Sequence, residues 1–448
     1  MFLSSEVTNA IQEGYLDRAI REGIFPDLKF FNIAENGEYT GEYQEHTGTT
    51  TTFTKSGLIS AKRKPKGGKD PNPSDVSREQ MVCTLYDYSD SVDTNFVVNK
   101  VGLPGRMLND AKTLSKGAAM TMEVLARSYL FRAYLSGRTN ATAAGSSTTT
   151  LPVASINGFT HAMSGNKPVA VSLTNPLNIT IGSTSAQVVA ATPTATDDDG
   201  DSLEYGPGTL TLSEAKTWSD KDPVVADDAP SVVYASGDSI EDITTDKLTL
   251  AAINEAVASL RTNSVPTING YYNCYLSPKG VQDLLDDADY KKLVSETFSE
   301  EEAAQGVLKK AHGVRFILHS LCPSYTILGN SSSVVDEIGG AVYNQGSKGI
   351  DTAIVMGAGA LDKRYISPER IYGQMGQVQV GRWREMSAGL GSVINDVAFI
   401  VRPPLNRMMN KPALSWGWWG GFFCQTDYLS PRTGGARYKR ACAIRFAA

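Results

Sequence analysis

Between residues 105 and 135 the chain reads GRMLNDAKTLSKGAAMTMEVLARSYLFRAYL, and its apolar positions fall three or four apart. Leu108, Ala111, Leu114, Ala118, Met122, Leu125, Tyr129, Leu130 and Ala133 share one stripe of a helix with about 3.6 residues per turn. Asn109, Lys112, Lys116, Glu123, Arg127 and Arg132 mark the polar face. At about 1.5 Å per residue the element would be on the order of 45 Å long. That length suits a strut crossing a whole domain, although an ordinary long core helix has the same pattern.

Upstream the period changes. The opening stretch, MFLSSEVTNAIQEGYLDRAIREG, predicts a short amphipathic helix with Val7, Ile11, Tyr15 and Ile20 on one side. Residues 47–59, TGTTTTFTKSGLI, predict a strand from their threonine and aromatic content. Residues 80–88, QMVCTLYDY, predict a second. Between them lies SAKRKPKGGKDPNPSD, with Lys62, Arg63, Lys64, Lys66 and Lys69 among glycines and prolines that can form neither ladder nor core. The pair is a long hairpin with a basic tip. A two-stranded ribbon is marginal in water, so it needs a surface: its own core, or a neighbouring copy. The tip is then a solvated loop, or a contact arm whose positive end meets a neighbour's acidic groups or an enclosed polyanion. The five basic residues and Phe53 are the candidate inter-subunit contacts.

Downstream of the long helix, residues 138–152, RTNATAAGSSTTTLP, read as a small-residue linker. Short strand candidates follow at 168–173, 177–181, 186–190, 209–212 and 230–234, separated by Gly, Asn, Asp and Pro. They predict an all-β insertion at 139–246. Helical patterning returns at 248–260 behind Thr249 as a cap. Gly270 turns into a strand at 271–276, and Ser277–Pro278 opens another helix. A strand at 314–318, a glycine- and serine-rich loop at 329–349 and a buried strand at 352–356 complete an α/β layer. The last part carries QVQVGRWREM and VINDVAFIV, the cluster Trp416, Trp418, Trp419, Phe422 and Phe423, and the strand KRACAIRFA. So much β pattern at a chain end should pair with earlier strands.

A chain of 448 residues, 41% hydrophobic and 20% charged, is of the globular class with room for two or three domains. No apolar run reaches the ~18 residues of a membrane helix. The N-terminus lacks the basic-then-apolar order of a secretory signal. Cys83, Cys274, Cys322, Cys424 and Cys442 are far apart and odd in number, which argues against a disulfide framework and for reduced, buried thiols. The histidines show no HxxxH or HExxH spacing, so no metal site is expected. Net charge is −6, but residues 139–246 hold three lysines, no arginine and fourteen Asp or Glu. The remainder is therefore net positive and can tolerate a polyanion nearby.

Catalytic patterns fail one by one. Asp197, Asp199 and Asp201 alternate, yet an EF-hand needs Glu at the twelfth position, where Gly208 stands. The stretch IVMGAGALD offers Gly357 and Gly359 after a strand, but lacks the third glycine, and Pro368 interrupts the space for a helix. No Walker loop or GxSxG elbow occurs. Asp286, Asp287, Asp289 and Glu300–Glu302 read as solvated helix ends. Trp383 between Arg382 and Arg384 is a base-stacking platform or a core residue. No nucleophile, base and orienter assemble, so no enzyme, cofactor or metal is expected.

The order of elements is the stronger signal. The hairpin TGTTTTFTKSGLI…EQMVCTLYDYSDSVDTN, the helix LNDAKTLSKGAAMTMEVLARSYLFRAYLSG, the stretch LTLAAINEAVASLRTNSVPTINGYYNCYLSPKGVQDLL and the later GVRFILHS together resemble the major capsid proteins of tailed phages. Those have the α+β Hong Kong 97 (Johnson) fold. The resemblance implies an N-terminal arm at 1–46, an E-loop at 47–95, a P-domain spine helix at 96–138, an A-domain at 247–375 and P-domain return strands at 376–448. The acidic insertion at 139–246 would face outward, away from packaged double-stranded DNA. It implies a subunit that assembles with itself into hexamers and pentamers of an icosahedral virion shell in the host cytoplasm. Portal and decoration proteins would be further partners, with no membrane involved. The hairpin starts near residue 47, leaving little room for a fused scaffold segment, so a separate scaffolding protein is expected. An encapsulin-type compartment subunit is the alternative of the same fold. A dinucleotide-binding enzyme using 354–362 and a surface adhesin built on the insertion are the alternatives of other classes.

Overall fold

In the computed structural model of the chain the long apolar stripe forms one helix, Arg106–Tyr134. The structure describes residues 18–21, 28–35, 37–43, 48–57, 73, 76, 78–94, 106–165, 167–194, 205–297, 310–322, 324–326, 349–373, 384–386, 389–394, 396–402, 411–427 and 436–447. The opening helix before residue 18 and the loop at 329–348 lie outside them. The chain divides into two compact units. One comprises Met1–Thr51, Val82–Ala126 and Leu361–Phe423, the other Thr52–Met81, Arg127–Ala360 and Cys424–Ala448.

In the first unit the helix buries Ala111, Leu114, Ala118, Met122 and Leu125, as the stripe requires. Asn109, Thr113, Lys116 and Met120 form its exposed line. Glu123 departs from its expected place on the polar face and is 1% exposed. One carboxylate oxygen accepts from the backbone N–H of Lys29 at 2.8 Å and of Phe30 at 2.6 Å, and the other from Phe31 at 3.0 Å. The carboxylate thus caps the short helix Phe30–Glu35, whose first amides have no partner within their own helix.

The sheet of this unit is organised on the strand Ala413–Phe423. One side of that strand meets Val397–Arg402 and then Asp362–Tyr365, and the other meets Tyr86–Asp93. Trp418 is fully buried and stacks on Phe422 at 5.3 Å and on Tyr88 at 5.8 Å, with Phe31 edge-on to both tryptophan and Phe422. Gly421 is required here, because a Cβ would sit 2.1 Å from the Thr84 carbonyl oxygen. The stretch VINDVAFIV, expected as one strand, is a hairpin. Gly389–Ile394 turns back into Val397–Arg402 with Ile394 opposite Val397 and Asp396 at φ 64°. Asp tolerates that left-handed geometry, which is why the tight turn falls there.

In the second unit residues 138–226, the core of the expected insertion, form a six-stranded antiparallel β-barrel. Strands Arg138–Asn140, Pro223–Ala226, Leu177–Ile181, Thr184–Pro193, Gly208–Trp218 and Gly145–Val153 pair antiparallel in that order. A bridge between Ala141 and Val153 closes the ring, supported by Ala154 N–H donating to the Asn140 carbonyl at 3.1 Å. Leu151, Val153, Ile179, Val188, Leu210, Leu212, Trp218 and Val224 fill the interior. The expected linker at 138–152 is therefore two barrel strands. Its threonines suit a pleated surface, and Gly145 makes room for the Trp218 ring, which would lie 2.3 Å from a Cβ there.

Beside the barrel in this unit lies a sheet ordered Val232–Tyr234, Ala441–Ala447, Gly349–Met356, Tyr272–Leu276 and Val314–Leu318. Val232–Tyr234, expected inside the insertion, runs parallel to the last strand of the chain. That last strand, expected among the return strands, pairs antiparallel with Gly349–Met356. The helix Leu250–Thr262 packs into the core of this layer, capped by Thr249 through Ala252 N–H at 3.3 Å. Ser277 caps the helix Pro278–Asp286 through Gly280 N–H at 3.1 Å. Asp287, expected as solvated, accepts from Leu250 N–H at 2.7 Å. After Met356 the two glycines lead into the strand Asp362–Tyr365 and not into a helix, so the phosphate-binding arrangement of a dinucleotide loop is missing.

Candidate assembly surfaces

The hairpin is the first surface. Thr50–Ser56 pairs with Arg78–Thr84. Both strands alternate, so each presents one face inward and one outward. Glu79, Met81 and Cys83 are buried; Thr51, Phe53 and Lys55 opposite them are half-buried; Thr50, Thr52, Thr54 and Ser56 are exposed. The inward face lies on this chain's own C-terminal segment. Thr426 donates its hydroxyl to Glu79 at 2.7 Å and its backbone N–H to the Met81 sulfur at 3.4 Å. Lys55 pairs with Asp427 and reaches the Gln425 side chain at 3.3 Å. The sequence left open whether the ribbon lies on its own chain or on a neighbour. Its base lies on its own chain, and its outer, threonine-rich face remains available. Phe53, expected as an inter-subunit contact, is half-buried on the inward-facing side of its strand. Lys62, Arg63, Lys64, Lys66 and Lys69 lie outside the described residues.

The second surface is the strand Tyr86–Asp93, which pairs on one side with Ala413–Phe423. Among the described residues nothing pairs with its other side. It exposes Tyr86, Asp87, Asp90 and Asp93. Charged residues on an edge strand discourage indiscriminate pairing while leaving the strand free for a matched partner. Sequence reading merged this strand with the second hairpin strand, because only the interruption at Leu85 separates them.

Val82, Met120 and Leu173 are isolated exposed apolar side chains, at 45%, 52% and 80% exposure. Leu173 sits on a tight turn in which Ser172 and Asn175 exchange backbone hydrogen bonds at 3.2 and 3.1 Å. None of these assembles a reactive group. All five thiols are buried, and burial pushes Cys83 and Cys442 up to about 12 and Cys274 higher still. No helix of the described residues is long and apolar enough to cross a membrane.

No protein-family model matches the chain, and no curated protein matches it. Solved structures do. The capsid asymmetric unit of cyanophage Pam1 superposes with a TM-score of 0.50 at 10% identity, over 94% of this chain and 92% of that one. The capsid of Ralstonia phage GP4 gives 0.49 at 13% identity, over 96% of this chain and 90% of that one. At such identities the likeness speaks for backbone architecture alone, and it spans nearly the whole polypeptide. The chain therefore has the phage-capsid fold, the Hong Kong 97-type architecture that its order of elements resembles.

Proposed function

We propose that this chain is the major capsid protein of a tailed double-stranded DNA phage, a subunit that builds an icosahedral shell with copies of itself. The fold carries this reading, since it runs the length of the chain and matches a capsid asymmetric unit. In this reading the hairpin is the E-loop, and its outer threonine face and basic tip at 61–69 lie on a neighbouring subunit. Lys62, Arg63, Lys64, Lys66 and Lys69 meet acidic groups there. The helix Arg106–Tyr134 is the spine of the P-domain, and the layer around Leu250–Thr262 belongs to the A-domain. The acidic barrel faces outward, where like charge keeps it off the genome. A separate scaffolding protein, a portal and a decoration protein complete the head, which assembles in the host cytoplasm.

Electron microscopy and sedimentation of the purified protein test the proposal. Shells, tubes or ring-shaped hexamers at milligram concentrations are the expected result, and co-expression with the scaffolding protein should make the shells uniform. A monodisperse monomer under both conditions would overturn it. Shells that form uniformly without any scaffold and enclose a co-encoded enzyme would favour the encapsulin alternative.

A further inference from the structure

The strands Asp362–Tyr365 and Val397–Arg402 lie end to end along the same side of Ala413–Phe423, the first facing Gly420–Phe423 and the second Ala413–Gly417. Among the described residues no ladder joins these two strands to each other. Side chains span the junction. Lys363 stands on the first strand, and Asp396 on the tight turn just before the second, at φ 64°. The Lys363 side chain is 3% exposed, and its Nζ lies 3.1 Å from Asp396 Oδ2 and 3.6 Å from Glu35 Oε1. The Phe31 ring covers the same nitrogen at 4.2 Å, and the Tyr365 ring lies at 5.3 Å. A primary amine is thus held against one carboxyl group and within reach of a second, under aromatic cover that keeps bulk water off the nitrogen. All five side chains belong to the first unit.

We propose that Lys363 and Asp396 condense into an isopeptide bond within the chain, with Glu35 as the proton carrier. The step begins with transfer of one proton from the ammonium to the Asp396 carboxylate, which leaves a neutral amine facing a neutral acid and no net change of charge. The amine nitrogen then attacks Asp396 Cγ. Glu35 takes a proton from that nitrogen and delivers it to a hydroxyl on Cγ, and the C–O bond breaks to release water. One C–N bond forms, one C–O bond breaks, and the products are an amide and one water. Between free groups in water this condensation is unfavourable; a fixed contact at 3.1 Å supplies the proximity that offsets it. Asp396, the nearer carboxyl group, is the one attacked. Its side chain and that of Glu35 are 31% and 48% exposed, so the released water has an exit. Tyr365 agrees that the carboxylates converge here: burial chiefly raises its pKa, and Asp396, Glu42 and Glu35 add to this. The amide would tie the hairpin that ends in Val397–Arg402 to the strand Asp362–Tyr365, across the one junction where the backbones make no ladder.

Mass spectrometry of the denatured full-length chain is the test, with Lys363→Arg as the reference so that other processing cancels. The outcome does not depend on whether the chain assembles. The parent should be lighter than its sequence by the mass of one water, and Lys363→Arg should show no such loss. A tryptic digest of the parent should contain a branched peptide joining residues 349–364 to residues 385–407. Asp396→Asn should still condense, releasing ammonia where the parent releases water, because the amide carbon is attacked in the same way. Glu35→Gln should keep the circular dichroism of the parent but leave most of the chain at full mass. The proposal is overturned if the parent carries the full mass of its sequence, for Lys363 is then the centre of an ion-pair cluster only. It is also overturned if the loss of water persists in Lys363→Arg, as cyclisation of an aspartate would give. A Glu35→Gln chain that condenses as completely as the parent would overturn the role given to Glu35.

Discussion

Replacing Glu123 tests how the first unit is held together. Its carboxylate is buried and accepts three backbone N–H groups, from Lys29, Phe30 and Phe31, at 2.6–3.0 Å. Glu123→Ala leaves these donors without their acceptor and opens a cavity beneath the helix Phe30–Glu35. Each stranded donor costs about 1–3 kcal/mol, and local relaxation and water entry recover part of the sum, so a loss of about 4 kcal/mol is expected. Glu123→Gln is the informative partner. Its amide oxygen can keep Lys29 and Phe30, while its NH₂ group faces the Phe31 N–H, donor against donor. About 2 kcal/mol should then be lost, roughly half the alanine cost. The assay is equilibrium urea unfolding of dissociated subunits followed by tryptophan fluorescence. Trp418 reports on the same unit, since Phe31 packs edge-on against it at 6.4 Å. An alanine variant within about 0.5 kcal/mol of the parent would refute the reasoning. Equal costs for the two variants would refute the role given to the separate oxygens.

Four further outcomes are expected. Burial pushes Cys83 and Cys442 up to about 12 in the folded chain, above the 9.0 of an ordinary thiol, so the unfolded chain loses those protons first; stability is fully present below pH 9 and falls as pH rises toward 12, and a Cys442→Ser variant should show a shallower alkaline decline in urea unfolding. At pH 8 none of the five buried thiols should react with an aromatic disulfide reagent until denaturant is added. Gly421→Ala forces a methyl to within 2.1 Å of the Thr84 oxygen and should destabilise by about 1–3 kcal/mol, whereas Gly417→Ala meets only the Trp419 ring edge at 3.2 Å and should cost clearly less; equal unfolding midpoints would contradict the clash. Residues 137–229, whose ends meet where Ala226 N–H donates to the Gly137 carbonyl at 2.8 Å, should fold alone into a cooperatively melting β domain; circular dichroism showing an unfolded peptide would refute the barrel's autonomy.

Much of this molecule is written in local pattern. The spacing of Leu114, Ala118, Met122 and Leu125 commits residues 106–134 to one helix, because 3.6-residue periodicity buries a stripe in no other geometry. Thr249 and Ser277 announce their helices by side-chain oxygens placed to take an orphan amide. The strands at 177–181 and 314–318 stand where their residue types put them. Long-range partners decided the rest. Residues 138–152 look like a linker because small residues and threonines carry little apolar signal, and only ring closure with Val153 and Trp218 gives them a core to join. The final strand carries no mark of its neighbour, and only the assembled sheet pairs it with Gly349–Met356. Glu123 reads as a surface charge on its own helix; it is a buried cap because three amides more than ninety residues earlier need an acceptor there. Sequence fixes what each segment can bury and which of its groups need partners, since those are properties of neighbouring residues. Which distant group supplies the partner is set only when the chain closes on itself.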